Sequence, residues 1–204
     1  EMPSTASAEK TRQALILAAQ DCLASDQLGI SVAKLTELAG VSVGSLYSHF
    51  KDRENLFEQA GAEYLAGFLP ALNRILESAP NPAIGLVGAL YHLTELPTID
   101  PRAGRIVLNG GTRALNQMRY YSTEPSMAIR QAVLAGSMSA LDAEAFVISV
   151  IGAFQMVITR QLSLHATPDL PLRVALQFGH QLGFNDAAMT AYLGTISSEE
   201  LLNG

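Results

Sequence analysis

Apolar residues at Leu15, Ala18, Ala19, Cys22 and Leu23 recur at the three-and-four spacing of a helix, with Gln13, Gln20 and Asp21 on the other side. This pattern predicts a first helix from about Ala8 to Ser25, interrupted by Asp26-Gln27-Leu28-Gly29-Ile30. Ser31 is an N-cap for a second helix, Val32 to Ala39, which Gly40 ends. Only Val41 and Ser42 separate Gly40 from a third, very short helix that Ser42 caps and that reaches about His49. Asp52 caps a fourth, expected to reach Leu69, with Leu56, Phe57, Ala60, Tyr64 and Phe68 on one side and Pro70 kinking or ending it.

From there onward no alternating strand pattern occurs, only helical stretches between breakers. They are Ala71–Ser78, Pro82–Glu95, Pro101–Tyr120, Ser126–Ser139, Asp142–His165, Leu172–Phe184 and Asp186–Ile196. Pro80, Pro82, Pro97, Pro101, Pro125, Pro168 and Pro171 punctuate them, and Gly110-Gly111 is a candidate break within the third. The expected fold class is all-α. Two short helices joined by a glycine-containing turn, behind a longer one, make a helix-turn-helix over residues 1–51. A linking helix from about residue 52 leads into a second helical domain, 52–204.

With 204 residues, 49% of them hydrophobic, the chain suits one or two domains and buries about 70% of its unfolded surface, which excludes intrinsic disorder. A single cysteine, Cys22, closes no intrachain disulfide and builds no Cys-rich zinc site, so a reducing compartment is expected. The most apolar run, Phe146 to Ile158, is interrupted by Ser149, Gly152 and Gln155 and falls short of the roughly 20 residues that span a bilayer. It reads as a core or interface helix. No apolar signal core follows Glu1-Met2-Pro3, and the expected localisation is cytoplasmic.

The net charge of −6 argues mildly against nucleic acid, although the placement of charge matters more than its sum. All three lysines, Lys10, Lys34 and Lys51, fall in residues 1–60 with Arg12 and Arg53. Eight acids share those residues and leave a net of −3, so any basic surface must arise by geometry. Ser31 and Ser42 stand where a hydroxyl and free backbone amides can hold a phosphate oxygen. Tyr47, His49 and Lys51 alternate along the third helix and its exit, offering a phenol, an imidazole and an ammonium to one backbone strand. Arg53, in the first turn of the fourth helix, opposes the helix dipole, a placement that a nearby phosphate would explain. Gly44 and Ser45 are small enough for close approach to base edges, and Val43 suits a thymine methyl. Core or ordinary surface roles are the alternatives for Tyr47, His49 and Lys51, whereas Leu35, Leu38, Val41, Phe50 and Leu56 read as core.

Thr11-Arg12 through Ala18-Ala19, Ser31-Val32, Leu35, Leu38-Ala39-Gly40-Val41-Ser42, Gly44-Ser45-Leu46-Tyr47, His49-Phe50-Lys51 and Arg53-Glu54-Asn55-Leu56 together resemble the tetracycline-repressor-like (TetR) regulators. The resemblance covers about residues 9–60; beyond it only the helical layout agrees. It implies a homodimeric transcriptional regulator, usually a repressor, that binds a palindromic operator in double-stranded DNA and is released by a small effector bound in its second domain. Val43 stands where the family often has a polar or basic residue, and Lys34 puts a charge on the second helix instead. Base preference therefore does not carry over, and shape readout or apolar contact with thymine gains weight.

Within Asp142–His165, about 36 Å of helix, Phe146, Val150, Ala153, Phe154 and Val157 line one side, while Val147, Ile148, Ile151, Ile158 and Leu162 populate another. One neighbour cannot cover so wide an apolar surface, and Gly152 permits close backbone approach. The resemblance implies a four-helix dimer interface from this helix and Leu172–Phe184, with Leu176, Phe178 and Leu182 contributing. A buried central helix in a monomer is the alternative. For a hydrophobic effector the candidate walls are Tyr91, Met118, Tyr121, Met138, Phe146, Val150 and Phe154, and the polar anchors His92, Arg105, Asn109 and Arg113. Plain core packing is the competing role for each wall residue.

No Gly-x-Ser-x-Gly, His-Glu-x-x-His or glycine-rich phosphate loop is present, so neither an enzyme nor a cofactor or metal is expected. A zinc or haem sensor built on His92, His165 or His180 is a weaker reading, since the four histidines are far apart in sequence. The stronger rival is a dimeric helical ligand-binding scaffold with weak or no DNA binding. Steep loss of affinity with salt distinguishes the DNA binder.

Overall fold

The computed structural model describes the backbone of residues 5–117, 119–136, 138–139, 142–195 and 197–202, with side chains in those segments other than residues 5 and 111–125. Among the described residues the ordered structure is helical: α1 Thr5–Ala24, α2 Val32–Ala39, α3 Val43–His49, α4 Arg53–Ala66, α5 Leu69–Ser78, α6 Pro82–Ile99, α7 Pro101–Gln117, α8 Arg119–Leu134, α9 Ala143–Gln161, α10 Leu170–Gln181 and α11 Asp186–Leu193, then a 3-10 turn, Ser198–Leu201.

The described residues up to 66 form one compact unit together with 105–117. Its core joins Leu15, Ile16, Ala19 and Leu23 of α1 to Leu35 of α2, Leu46 of α3, Phe57 of α4 and Ile106 of α7. Helix α1 packs against α2, α3 and α4, so α4 belongs to this unit instead of serving only as a linker from residue 52. The reason lies in its buried face of Leu56, Phe57, Ala60 and Gly61, and in Gln20, whose amide donates to the Ala60 carbonyl at 3.1 Å. At Gly61 and Gly110 two backbones touch: a Cβ on Gly61 would stand 2.6 Å from Cα of Gly110. Helix α7 therefore continues through Gly110, where the glycine serves close packing and makes no break.

Residues 67–104 and the described residues beyond 117 form the second unit. Here α9 packs against α6, α8 and α10. Phe178 of α10 lies edge-on to Phe146, with centroids 5.8 Å apart, and stacks on Phe154 at 6.2 Å. Among the described helices α9 alone is long and apolar enough to cross a bilayer, a length that the shorter run Phe146–Ile158 does not suggest. Eight of its residues are nevertheless buried within the protein, as in a core helix.

Several boundaries differ from expectation. Helix α4 stops at Ala66, and Pro70 opens α5, where a first-turn proline forfeits no intrahelical bond. Pro97 lies inside α6, and Pro125 inside α8, which begins earlier than expected. The turn Ser198–Leu201 is absent from the helical pattern of the sequence, and its Ser197/Glu200 capping box holds it.

Candidate nucleic-acid interface

The turn between α2 and α3 follows from three residues. Ser31 caps α2, its hydroxyl accepting from the Lys34 amide at 3.2 Å. Gly40 turns left-handed at φ 66°, where its amide meets the Glu37 carbonyl. Ser42 caps α3, accepting from the Ser45 amide at 3.1 Å and lying 2.9 Å from the Ser45 hydroxyl. The stop-and-restart leaves α3 just seven residues long.

One side of α3 is anchored by Leu46, fully buried, and by Phe50 at its end. The other side faces solvent: Val43 is 42% exposed, Tyr47 56%, and Ser42, Gly44 and Ser48 are exposed as well, while Ser45 and His49 are half-buried. Residues 44, 47 and 48 share a helical register, so Ser48 joins this face as a residue that sequence reasoning missed; the signal is its position four residues after Gly44. Two apolar groups amid hydroxyls form a surface that can approach bases closely while its polar atoms reach phosphate oxygens. Leu38, expected in the core, is exposed on α2.

The cations divide into engaged and available. Lys34 pairs with Glu37 at 2.8 Å, an exposed contact worth little and readily exchanged. The Arg53 guanidinium donates to the Ile30 carbonyl at 2.7 Å and pairs with Glu54. These partners account for the arginine at a helix start, with no phosphate needed. By holding the residue before Ser31, Arg53 ties the entry of α2 to α4. Lys51 is exposed and has no carboxylate partner among the described residues. Among the described residues no cluster of His, Cys, Asp and Glu has metal-binding geometry.

The second unit holds a different set. Tyr91 is half-buried, and burial together with Glu95 pushes its phenol pKa up. His92 is 3% exposed, its Nδ1 lies 2.7 Å from the Ser198 hydroxyl, and burial lowers its pKa to about 4. Phe146, Val150 and Phe154 are core residues, with Met138 packed against them. Arg105 and Asn109 belong to the first unit instead: Arg105 is exposed, and the Asn109 amide donates to the Leu23 carbonyl at 2.9 Å, closing the end of α1. Arg113, Met118 and Tyr121 lie outside the residues whose side chains are described. On α9, Ile148 is 62% exposed, with Gly152 open beside it and Ile151 half-buried; Met156, 68% exposed, extends this face. Val147, Ile158 and Phe178 are buried within the chain itself, because α9 and α10 pack on one another and on α6. Leu162, Leu176 and Leu182 are half-buried.

The model of a family described as bacterial regulatory proteins, tetR family, matches residues 28–60. In this segment the chain is similar to the TetR family. The segment contains α2, α3 and the first half of α4, and so coincides with the exposed face just described. Solved structures agree with the fold along nearly the whole chain. RolR in complex with resorcinol is 21% identical with a TM-score of 0.62, over 93% of this chain and 96% of that one. RolR without ligand is 21% identical with a TM-score of 0.60, over 91% and 97%. A TetR-family regulator from Rhodococcus sp. is 22% identical with a TM-score of 0.52, over 89% and 99%. No curated protein matches by sequence. At these identities the structures establish fold: a helix-turn-helix unit and a second helical unit, as in TetR-family transcriptional regulators.

Proposed function

We propose that the protein is a ligand-responsive transcriptional repressor that binds a palindromic operator as a homodimer and acts in the cytoplasm. The observation that carries this reading is α3: anchored by Leu46 and Phe50, it displays Val43, Gly44, Tyr47 and Ser48 to solvent. In the proposed complex Val43, Gly44 and Ser45 face base edges in the major groove, and Ser31, Lys34, Ser42, Tyr47, His49 and Lys51 hold the backbone. Arg53 contributes by fixing the entry of α2. Dimerisation uses the uncovered face of α9 around Ile148, Ile151, Gly152 and Met156, and places the two α3 helices about 34 Å apart, one turn of duplex.

The effector is a small hydrophobic molecule bound within the second unit among residues such as Tyr91, Met138 and Phe146, and it acts by preferring a dimer geometry that does not fit the operator. RolR forms a complex with resorcinol, and this makes small phenols the first ligands to try. Selection of bound duplexes from a random pool, followed by affinity measurements across salt and with added phenols, tests the reading. Steeply salt-dependent binding supports it. No enriched duplex at any salt overturns it in favour of the scaffold, a reading favoured by the ion pairs that engage Arg12, Lys34 and Arg53.

A further inference from the structure

Beneath the exposed face runs a line of polar side chains that the proposed DNA contacts do not use. The Arg12 guanidinium, on α1, pairs with Glu63 and donates to Oε1 of Gln59 at 3.1 Å. The Gln59 amide donates in turn to Oδ1 of Asn55 at 3.0 Å. The same Asn55 oxygen accepts the backbone N–H of Lys51 at 3.4 Å. Arg12 also lies over the Phe50 ring, 5.8 Å from its centroid. Both residues at the exit of α3 are therefore held by one relay that starts on α1. Phe50 is extended, at φ −131° and ψ 143°, and its ring points into the core; the next side chain, Lys51, points outward.

We infer that Arg12, Gln59 and Asn55 form a positioning relay that sets the direction in which Lys51 meets the DNA backbone. The inference rests on the proposed DNA-binding role. Arg12 itself is no phosphate contact: Glu63 neutralises it, Gln59 takes a further N–H, and the Phe50 face covers it. In the free state the relay holds the α3 exit ready, so that binding need not order it.

Counterion release supplies a readout that a purely structural role does not move, since each lost phosphate contact lowers the magnitude of the salt slope by about 0.9. The probe is a duplex that the wild-type protein recovers from a random pool. Lys51→Ala is expected to lower the slope by about 0.9, and Gln59→Leu, which removes no charge, by a similar amount. Arg12→Ala with Lys51→Ala should also lose about 0.9 in total. An unchanged slope in Gln59→Leu overturns the inference. So does a loss of about 1.8 in the double variant, which would make Arg12 a second contact.

Amide exchange on the free protein gives an arm independent of DNA. In Gln59→Leu, and in Arg12→Gln should Gln59→Leu fold poorly, the Lys51 amide should exchange several-fold faster while the Phe50 amide, bonded to the Leu46 carbonyl at 2.8 Å, stays protected. Equal Lys51 exchange in wild-type and variant overturns the relay whatever the DNA result. Absence of salt-dependent binding by the wild-type protein overturns the DNA-binding role instead.

Discussion

Tyr47 presents more than half of its surface to solvent, and no group in the described structure bonds its hydroxyl. Tyr47→Phe is therefore expected to change stability by less than about 0.5 kcal/mol while lowering operator affinity roughly five- to tenfold, through loss of one hydrogen bond to phosphate. Melting curves and binding isotherms, measured side by side, check the pair. His92 provides the opposite case of a buried polar residue. Its pKa falls from 6.5 to about 4 because burial disfavours the cation, so protonation favours unfolding. The stability held by neutral His92 is complete above pH 6.5 and is lost as pH falls toward 4, by about 3 kcal/mol in all. Denaturant titrations across that range should show the loss, and His92→Gln should abolish this part of it. The capping role of Ser31 and Ser42 is readable in the sequence because capping is local, decided within three residues. That of Arg53 is not, since its partner carbonyl on Ile30 lies 23 residues away.

Two glycines in helices are visible in the sequence as glycines but not as to purpose. Gly110 meets the backbone of Gly61, so Gly110→Ala should force α4 and α7 apart and cost about 1–3 kcal/mol. Nothing lies within 4 Å of a Cβ at Gly152, so Gly152→Ala should leave the isolated chain more stable by up to about 1 kcal/mol. Thermal unfolding of both variants, at a concentration where the chain is monomeric, compares the two signs. The helices around these positions are legible from apolar periodicity, and α2 and α3 match to the residue because their caps and Gly40 sit beside them. The ends of α4, α7 and α8 are less legible. Proline opens α5 yet lies inside α6 and α8, so tertiary packing and not the residue alone decides whether it starts, bends or ends a helix.

At the scale of the whole molecule, α9 is covered on one side and bare on another. Ile148 and Met156 expose most of their surface in a single chain, whereas Val147, Ile158 and Phe178 do not. Ile148→Asp with Met156→Asp should leave each chain folded but shift sedimentation from dimer to monomer, and operator affinity should fall with it. A variant that remains dimeric would place the interface elsewhere. Periodicity shows that α9 carries more apolar surface than one neighbour can cover; it does not show that α10 lies within the same core, because the Phe146–Phe178–Phe154 stack joins residues from separate helices.

The second unit is fastened late in the chain. The Tyr192 hydroxyl donates to the Ile75 carbonyl at 2.9 Å, its ring filling the place where Gly88 has no side chain; Ser198 meets His92 and Glu200 meets Arg74. The described core of the first unit, by contrast, is complete once Ile106 and Gly110 have been made. At 5–20 residues per second, a newborn chain thus has the described core of its first unit on the order of 5–20 s before its other half can close. On the proposed function, a ribosome arrested in that interval would hold a finger able to touch the chromosome, with no twin to span two grooves and no chamber in which a messenger could countermand it.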